Sequence, residues 1–203
     1  MNMRIKQMNR RMLLKGSAIA MLGAMNKMAM ASEVEGETAK TKPDSAPLEN
    51  ELEKYPRCVI CNMDRRQYHY ARHLLHYGDG HVEGTCSLNC TAECMLRQRR
   101  RGFIAIYAPD YGVAGEPKPL IEASSATYLI GSDLRGVMSP ISKYAFADKA
   151  KAEAVIAVAG GRIGTFAEAI TVAFEDYARY ISRRYGNDRE KLQRQSNKVN
   201  AAT

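Results

Sequence analysis

The sequence predicts an α+β domain made of two strand-strand-helix-strand units in tandem, closed by a long C-terminal helix. Three observations lead there. Short runs rich in strand-forming residues are divided by Gly- and Pro-bearing turns. Each half carries one helical segment at the same place in its order of elements. Within residues 166–185, Ala169, Ala173, Tyr177 and Tyr180 recur at helical spacing.

In the first half, residues 67–77 read as a strand on Tyr68, Tyr70, Leu74 and Leu75, and Gly78-Asp79-Gly80 supplies a hairpin turn. Residues 81–85 return as its partner. Ser87 can cap a helix that runs to about Arg99. Residues 102–108, with Phe103, Ile104, Ile106 and Tyr107, read as a third strand, and turn residues fill the loop 109–119. The second half repeats this order. Strands at 126–131 and 143–147 precede an Ala-rich helix over 148–158, which Gly160-Gly161 stops. A short strand at 162–165 leads into the long helix. This repetition is the mark of an internal pseudo-repeat. One domain is therefore expected over about residues 55–185. Before it, residues 32–54 are polar and acidic and contain Pro43 and Pro47, the composition of a flexible linker. After it, residues 186–203 read as a polar, charged tail that frays.

The formal charge of +8 suggests nucleic acid, but its distribution argues otherwise. Residues 1–31 hold six basic residues and no acidic one, so taking six from the 30 leaves 24 basic against 22 acidic. The excess belongs to an address label. Arg10-Arg11, Met12-Leu13-Leu14 and Lys15 make a twin-arginine signature, an apolar stretch follows, and Ala29-Met30-Ala31 is a peptidase site. Cleavage is expected after Ala31, with export to the periplasm. Met21, Met25, Met28 and Met30 resemble a copper-binding stripe but read as apolar filler of that signal. No later segment approaches the roughly 20 apolar residues of a membrane span.

All five cysteines fall between positions 58 and 94: Cys58, Cys61, Cys86, Cys90 and Cys94. Two residues between Cys58 and Cys61 let both sulfurs face one point, as metal knuckles require. Asn62 tolerates the left-handed turn such a knuckle needs. Met63 adds a thioether, which is a poor ligand for Zn and a good one for Cu(I). Cys86 and Cys90 can join the first pair in a closed four-cysteine Zn site. An exported chain also admits a disulfide or thiol-redox pair at Cys58/Cys61. These three readings stand together, copper first. Cys94 shares a helical face with Cys90 and reads as a buried thiol.

Other residues carry less. Met138, in a Gly-flanked loop, reads as loop packing. His69, His73, His76 and His81 are crowded, but on a strand His69 and His73 would stand about 13 Å apart, so they read as exposed or half-buried. Arg97, Arg99, Arg100 and Arg101 form a solvated basic helix end. There are no paired carboxylates, no Ser-His-Asp arrangement and no phosphate loop, so an enzyme is not expected.

Arg57-Cys58-Val59-Ile60-Cys61-Asn62-Met63, Asp79-Gly80, and Ala126-Thr127-Tyr128-Leu129-Ile130-Gly131-Ser132-Asp133-Leu134-Arg135-Gly136-Val137-Met138 resemble the NosL family, copper-binding accessory proteins of nitrous-oxide reductase maturation. Phe146-Ala147, Ala152, Gly160-Gly161 and Phe166 extend the resemblance. It implies a tandem fold similar to that of organomercurial lyase. It also implies Cu(I) held by Cys61, Met63 and Met138, with Cys58 on the family's more variable first cysteine, and a recipient metalloenzyme or its assembly factors as partner. Gly84-Thr85-Cys86-Ser87-Leu88-Asn89-Cys90 resembles half of a small YHS-type metal domain, which keeps Cys86 and Cys90 as candidate ligands. The family is usually lipid-anchored through an N-terminal cysteine. No cysteine precedes Cys58, so an anchor is not expected here.

Overall fold

The computed structural model describes residues 43–201, with side chains as far as Lys198. The expected signal peptide, with Met21, Met25, Met28 and Met30, and the first part of the expected linker lie outside these residues.

After a short helix α1 (Glu51–Lys54), strands β1 (His73–Tyr77) and β2 (Val82–Thr85) form the expected hairpin. Its turn needs Gly80, whose φ is 79° and where a Cβ would stand only 2.6 Å from Pro43 Cβ. Helix α2 (Leu88–Arg97) follows, then β3 (Phe103–Pro109) and β4 (Leu120–Glu122). The second unit comprises β5 (Thr127–Ile130), β6 (Lys143–Phe146), α3 (Lys149–Ala159) and β7 (Arg162–Gly164), and α4 (Phe166–Ala201) closes the chain. The sheet orders are β2-β1-β3-β4 and β6-β5-β7, antiparallel throughout. In both, the first strand of the unit lies between the second strand and the strand that follows the helix. The tandem repeat is therefore present, with β4 as an addition to the first copy.

Local chemistry explains the helix ends. Ser87 Oγ accepts from the Cys90 N–H at 3.3 Å, and Asp148 Oδ1 accepts from the Ala150 N–H at 2.8 Å. Asp110 joins the two units. It bridges to Ala145, and its Oδ1 accepts from the N–H groups of Gly112 and Ala147 at 3.0 and 3.2 Å. The core is built from small residues, Ala92 on α2, Ala108, Ala126 and Ala145 on or beside the strands, and Ala169 and Ala173 on α4, packed around Tyr128 and Ile130. A buried pair, Lys143 Nζ to Asp176 at 2.8 Å, pins α4 to β6.

The structure departs from the sequence reading in four places. Residues 65–71 are turns, and only 73–77 form a strand. Tyr68 and Tyr70 look strand-like because they are aromatic, yet Tyr70 stacks on Tyr144 at 6.0 Å. Residues 43–54, placed in the linker, fold. Leu52 is buried, and buried Glu51 pairs with Arg65 and Arg72 at 2.9 and 2.7 Å. The loop after β3 gives way to β4, which pairs Ala108 with Ile121. Residues 186–201, expected to fray, continue α4 with pairs such as Arg194–Glu190 at 3.4 Å.

His73 is fully buried rather than half-exposed, and its Nδ1 lies 2.9 Å from the Ala71 carbonyl. Burial, with Arg65 and Arg72 nearby, holds it down at about 3 against an ordinary 6.5. The native state therefore stays neutral where the unfolded chain takes up a proton. That contribution to stability is complete above pH 6.5 and is lost as the pH falls from there toward 3, at up to about 1.4 kcal/mol per pH unit. The urea midpoint of the reduced, metal-free protein should fall between pH 7 and pH 5, and His73→Gln should flatten that slope.

Candidate metal centre

The knuckle is shaped by its own backbone. The Cys58 N–H donates to the Met63 carbonyl and the Asn62 N–H to the Cys58 carbonyl, both at 2.9 Å. Asn62 adopts φ 61°, the left-handed turn expected of it. The Val59 N–H donates to the Gly84 carbonyl at 3.0 Å and ties the knuckle to β2. Cys86 lies just past that strand. Cys90 sits in the first turn of α2, where the Ser87 cap fixes its backbone.

These elements bring Cys58, Cys61, Cys86 and Cys90 together, with all four Sγ atoms within 4.8 Å of one another. Cys61 to Cys86 is 3.4 Å, Cys86 to Cys90 is 3.8 Å and Cys90 to Cys61 is 3.9 Å. Among the described residues, no other group of three or more His, Cys, Asp or Glu side chains has this geometry. Cys58, Cys86 and Cys90 are buried, and Cys61 is half-buried.

Burial and proximity decide the charge. Hydrogen bonds from Cys86 and then Cys90 push the Cys58 thiol well below its ordinary range. The same contacts with Cys58 push Cys86 and Cys90 up. Thiols packed this closely resist ionising together without a cation. A bound cation is what lets several ionise, so metal uptake at this site releases protons.

Of the six candidate ligands, the structure unites these four. Met63 packs, half-buried, against them, together with Ile60 and Val137. Met138 is exposed, at φ 58°, and shares with Cys90 a groove of about 510 Å³ also lined by Tyr177 and Tyr180 of α4. Cys94, one helical turn beyond Cys90, faces Leu75 and Tyr77 instead, and burial pushes its thiol up. The histidines lie elsewhere. His69 Nδ1 accepts from the Lys118 N–H at 3.3 Å, and His81 faces Glu83 at 3.4 Å.

One supporting residue escaped the sequence reading. Arg65 is wholly buried and donates to the carbonyls of Thr85 and His73, each at 3.1 Å. Its guanidinium lies 2.7 Å from where a Cβ on Gly84 would stand, so the glycine makes room for it. Arg65 thus braces β2 immediately before Cys86. In the sequence it is one of two adjacent arginines with nothing to mark it as buried.

A family model described as NosL matches residues 49–173, more than half of the chain. No curated protein matches. Among solved structures, the crystal structure of the copper chaperone NosL from Shewanella denitrificans is 24% identical, covers 55% of this chain and 87% of its own, and has a TM-score of 0.46. The solution structure of the apo-NosL protein from Achromobacter cycloclastes is 23% identical, covers 47% of this chain and 82% of its own, and has a TM-score of 0.34.

Proposed function

The chain belongs to the NosL family, and on that premise we propose that it is an exported copper-binding accessory protein, not an enzyme, that passes Cu(I) to a periplasmic metalloenzyme such as nitrous-oxide reductase or to its assembly factors. The observation that carries the binding role is the four-thiol cluster of Cys58, Cys61, Cys86 and Cys90. Thiolate sulfur is soft and suits Cu(I), as it also suits Zn, and the thioethers beside the cluster favour copper. Met63 borders the cluster and Met138 lines the groove that Cys90 also lines, and we read these two thioethers as further soft donors for the ion. Half-buried Cys61 leaves one side open to ligand exchange.

Export rests on Arg10-Arg11 and the segments that follow them. The twin-arginine route carries folded proteins, so an ion loaded beforehand would shield the thiols from oxidation.

A second reading has its own observation. A tetrahedral Zn site with bonds of about 2.3 Å has sulfur edges of about 3.8 Å. The edges of 3.4, 3.8 and 3.9 Å fit such a set. A resident Zn would make the centre a structural module that mediates protein contacts. Anaerobic titration with Cu(I) against a chromophoric chelator separates the two. The copper reading expects one tightly held Cu(I) per chain, its binding abolished by Cys61→Ser. One Zn retained through purification, with Cu(I) unable to displace it, would favour the module.

A further inference from the structure

We propose that Cys61 and Cys86 form a redox-modification site, joined by a disulfide when the centre is empty and kept apart as two ligands when it is loaded. This rests on the reading that the same cluster binds metal.

Three observations select this pair. Its sulfurs stand 3.4 Å apart, closer than Cys86 to Cys90 at 3.8 Å or Cys90 to Cys61 at 3.9 Å. A disulfide needs about 2.0 Å, so closure asks for a side-chain shift of roughly 1.4 Å. Cys61 is the one thiol of the four that is not buried, so an oxidant from solution meets it first. Neither residue lies inside a helix or strand, and both can adjust. Cys61 ends the knuckle before the irregular Asn62-Met63, and Cys86 lies between β2 and the extended Ser87. Cys90, by contrast, is held in the first turn of α2. Cys58 is buried and fixed at both ends of its peptide unit by backbone hydrogen bonds to Met63 and Asn62.

The chemistry balances with a small disulfide such as oxidised glutathione as the oxidant. The Cys61 thiolate attacks one of its sulfurs, expelling a glutathione thiolate and forming a mixed disulfide. The Cys86 thiol, giving its proton to the departing sulfur, then attacks the Cys61 sulfur and expels the second glutathione. The protein loses two electrons and two protons, and the oxidant leaves as two glutathione thiols. Cys58, Cys90 and Cys94 remain reduced. The product has surrendered two of its four ligands and cannot take up the ion until it is reduced.

The purified metal-free chain is treated with excess oxidised glutathione. Its free thiols are counted, and the cross-link is mapped by non-reducing tryptic digestion with fragmentation. The count should fall from five to three. The peptide that starts at Cys58 should be joined to the one that starts at His73, through Cys61 and Cys86. Cys61→Ser should abolish that link, while Cys58→Ser and Cys90→Ser should keep it. No loss of thiols, or a dominant bond within either peptide, overturns the proposal. Chain loaded beforehand with Cu(I) should keep five thiols, and equal oxidation with the ion bound also overturns it. A chain that takes up no Cu(I) in the titration fails the copper reading, while the metal-free arm still decides the disulfide.

Discussion

Cys86→Ser should abolish tight metal binding, with a loss in affinity well beyond the roughly 10–100-fold that follows removal of an outer-shell partner. Cys86 is the hub of the set. Its Sγ contacts Cys61 at 3.4 Å and Cys90 at 3.8 Å, and it is the leading donor to the Cys58 thiolate. Serine keeps the shape but offers a hard oxygen whose proton is not given up near neutral pH. The hairpin and α2 do not depend on the sulfur, so the variant should fold. Chelator competition under anaerobic conditions measures the loss, and circular dichroism checks the fold. Cys94→Ser, facing Leu75 and Tyr77, should leave affinity unchanged.

Arg65→Ala should cost about 3–5 kcal/mol of stability, the penalty for breaking a buried ion pair by removing one partner. Glu51, with a side chain only 8% exposed, loses one of its two arginines, and the carbonyls of Thr85 and His73 lose their donors. Arg65→Lys should recover little, because an ammonium cannot reach the same set of acceptors in the geometry of a guanidinium. Urea unfolding reads both, as a shift in midpoint with the slope unchanged. A loss below about 1 kcal/mol would remove Arg65 from the framework of the centre.

Much of the fold is legible in the sequence because its signals are local. Ser87 and Asp148 cap helices through their own neighbours, and Gly160-Gly161 ends α3 at φ 63° and 92°. Cys58, Cys61, Cys86 and Cys90 were candidates from softness and spacing alone. What escaped is non-local. The turns at 65–71 carry strand-like aromatics because they pack on the second unit, through Tyr70 and Tyr144. Helix α1 exists because Glu51 finds two arginines 14 and 21 positions on, and polar composition gives no sign of that. The C-terminal part of α4 has the same polar content as a frayed tail, and its ion pairs become visible only once helical spacing is granted. Met138 is legible only by resemblance. Its exposure puts it at a groove rather than within the packed sulfurs.

The thiols of the centre come from two places on the chain, and Cys61 stands 25 residues before Cys86. Whatever fastens the two sulfurs together therefore closes a covalent-like ring in the backbone. Restricting a loop of that size lowers the entropy of the unfolded chain by an amount worth about 3.5 kcal/mol in the simplest treatment. A carrier that gives up its ion opens the ring and becomes softer at the moment of release. An S–S bond closes the same ring without the ion, so emptiness and rigidity become separable states of one topology.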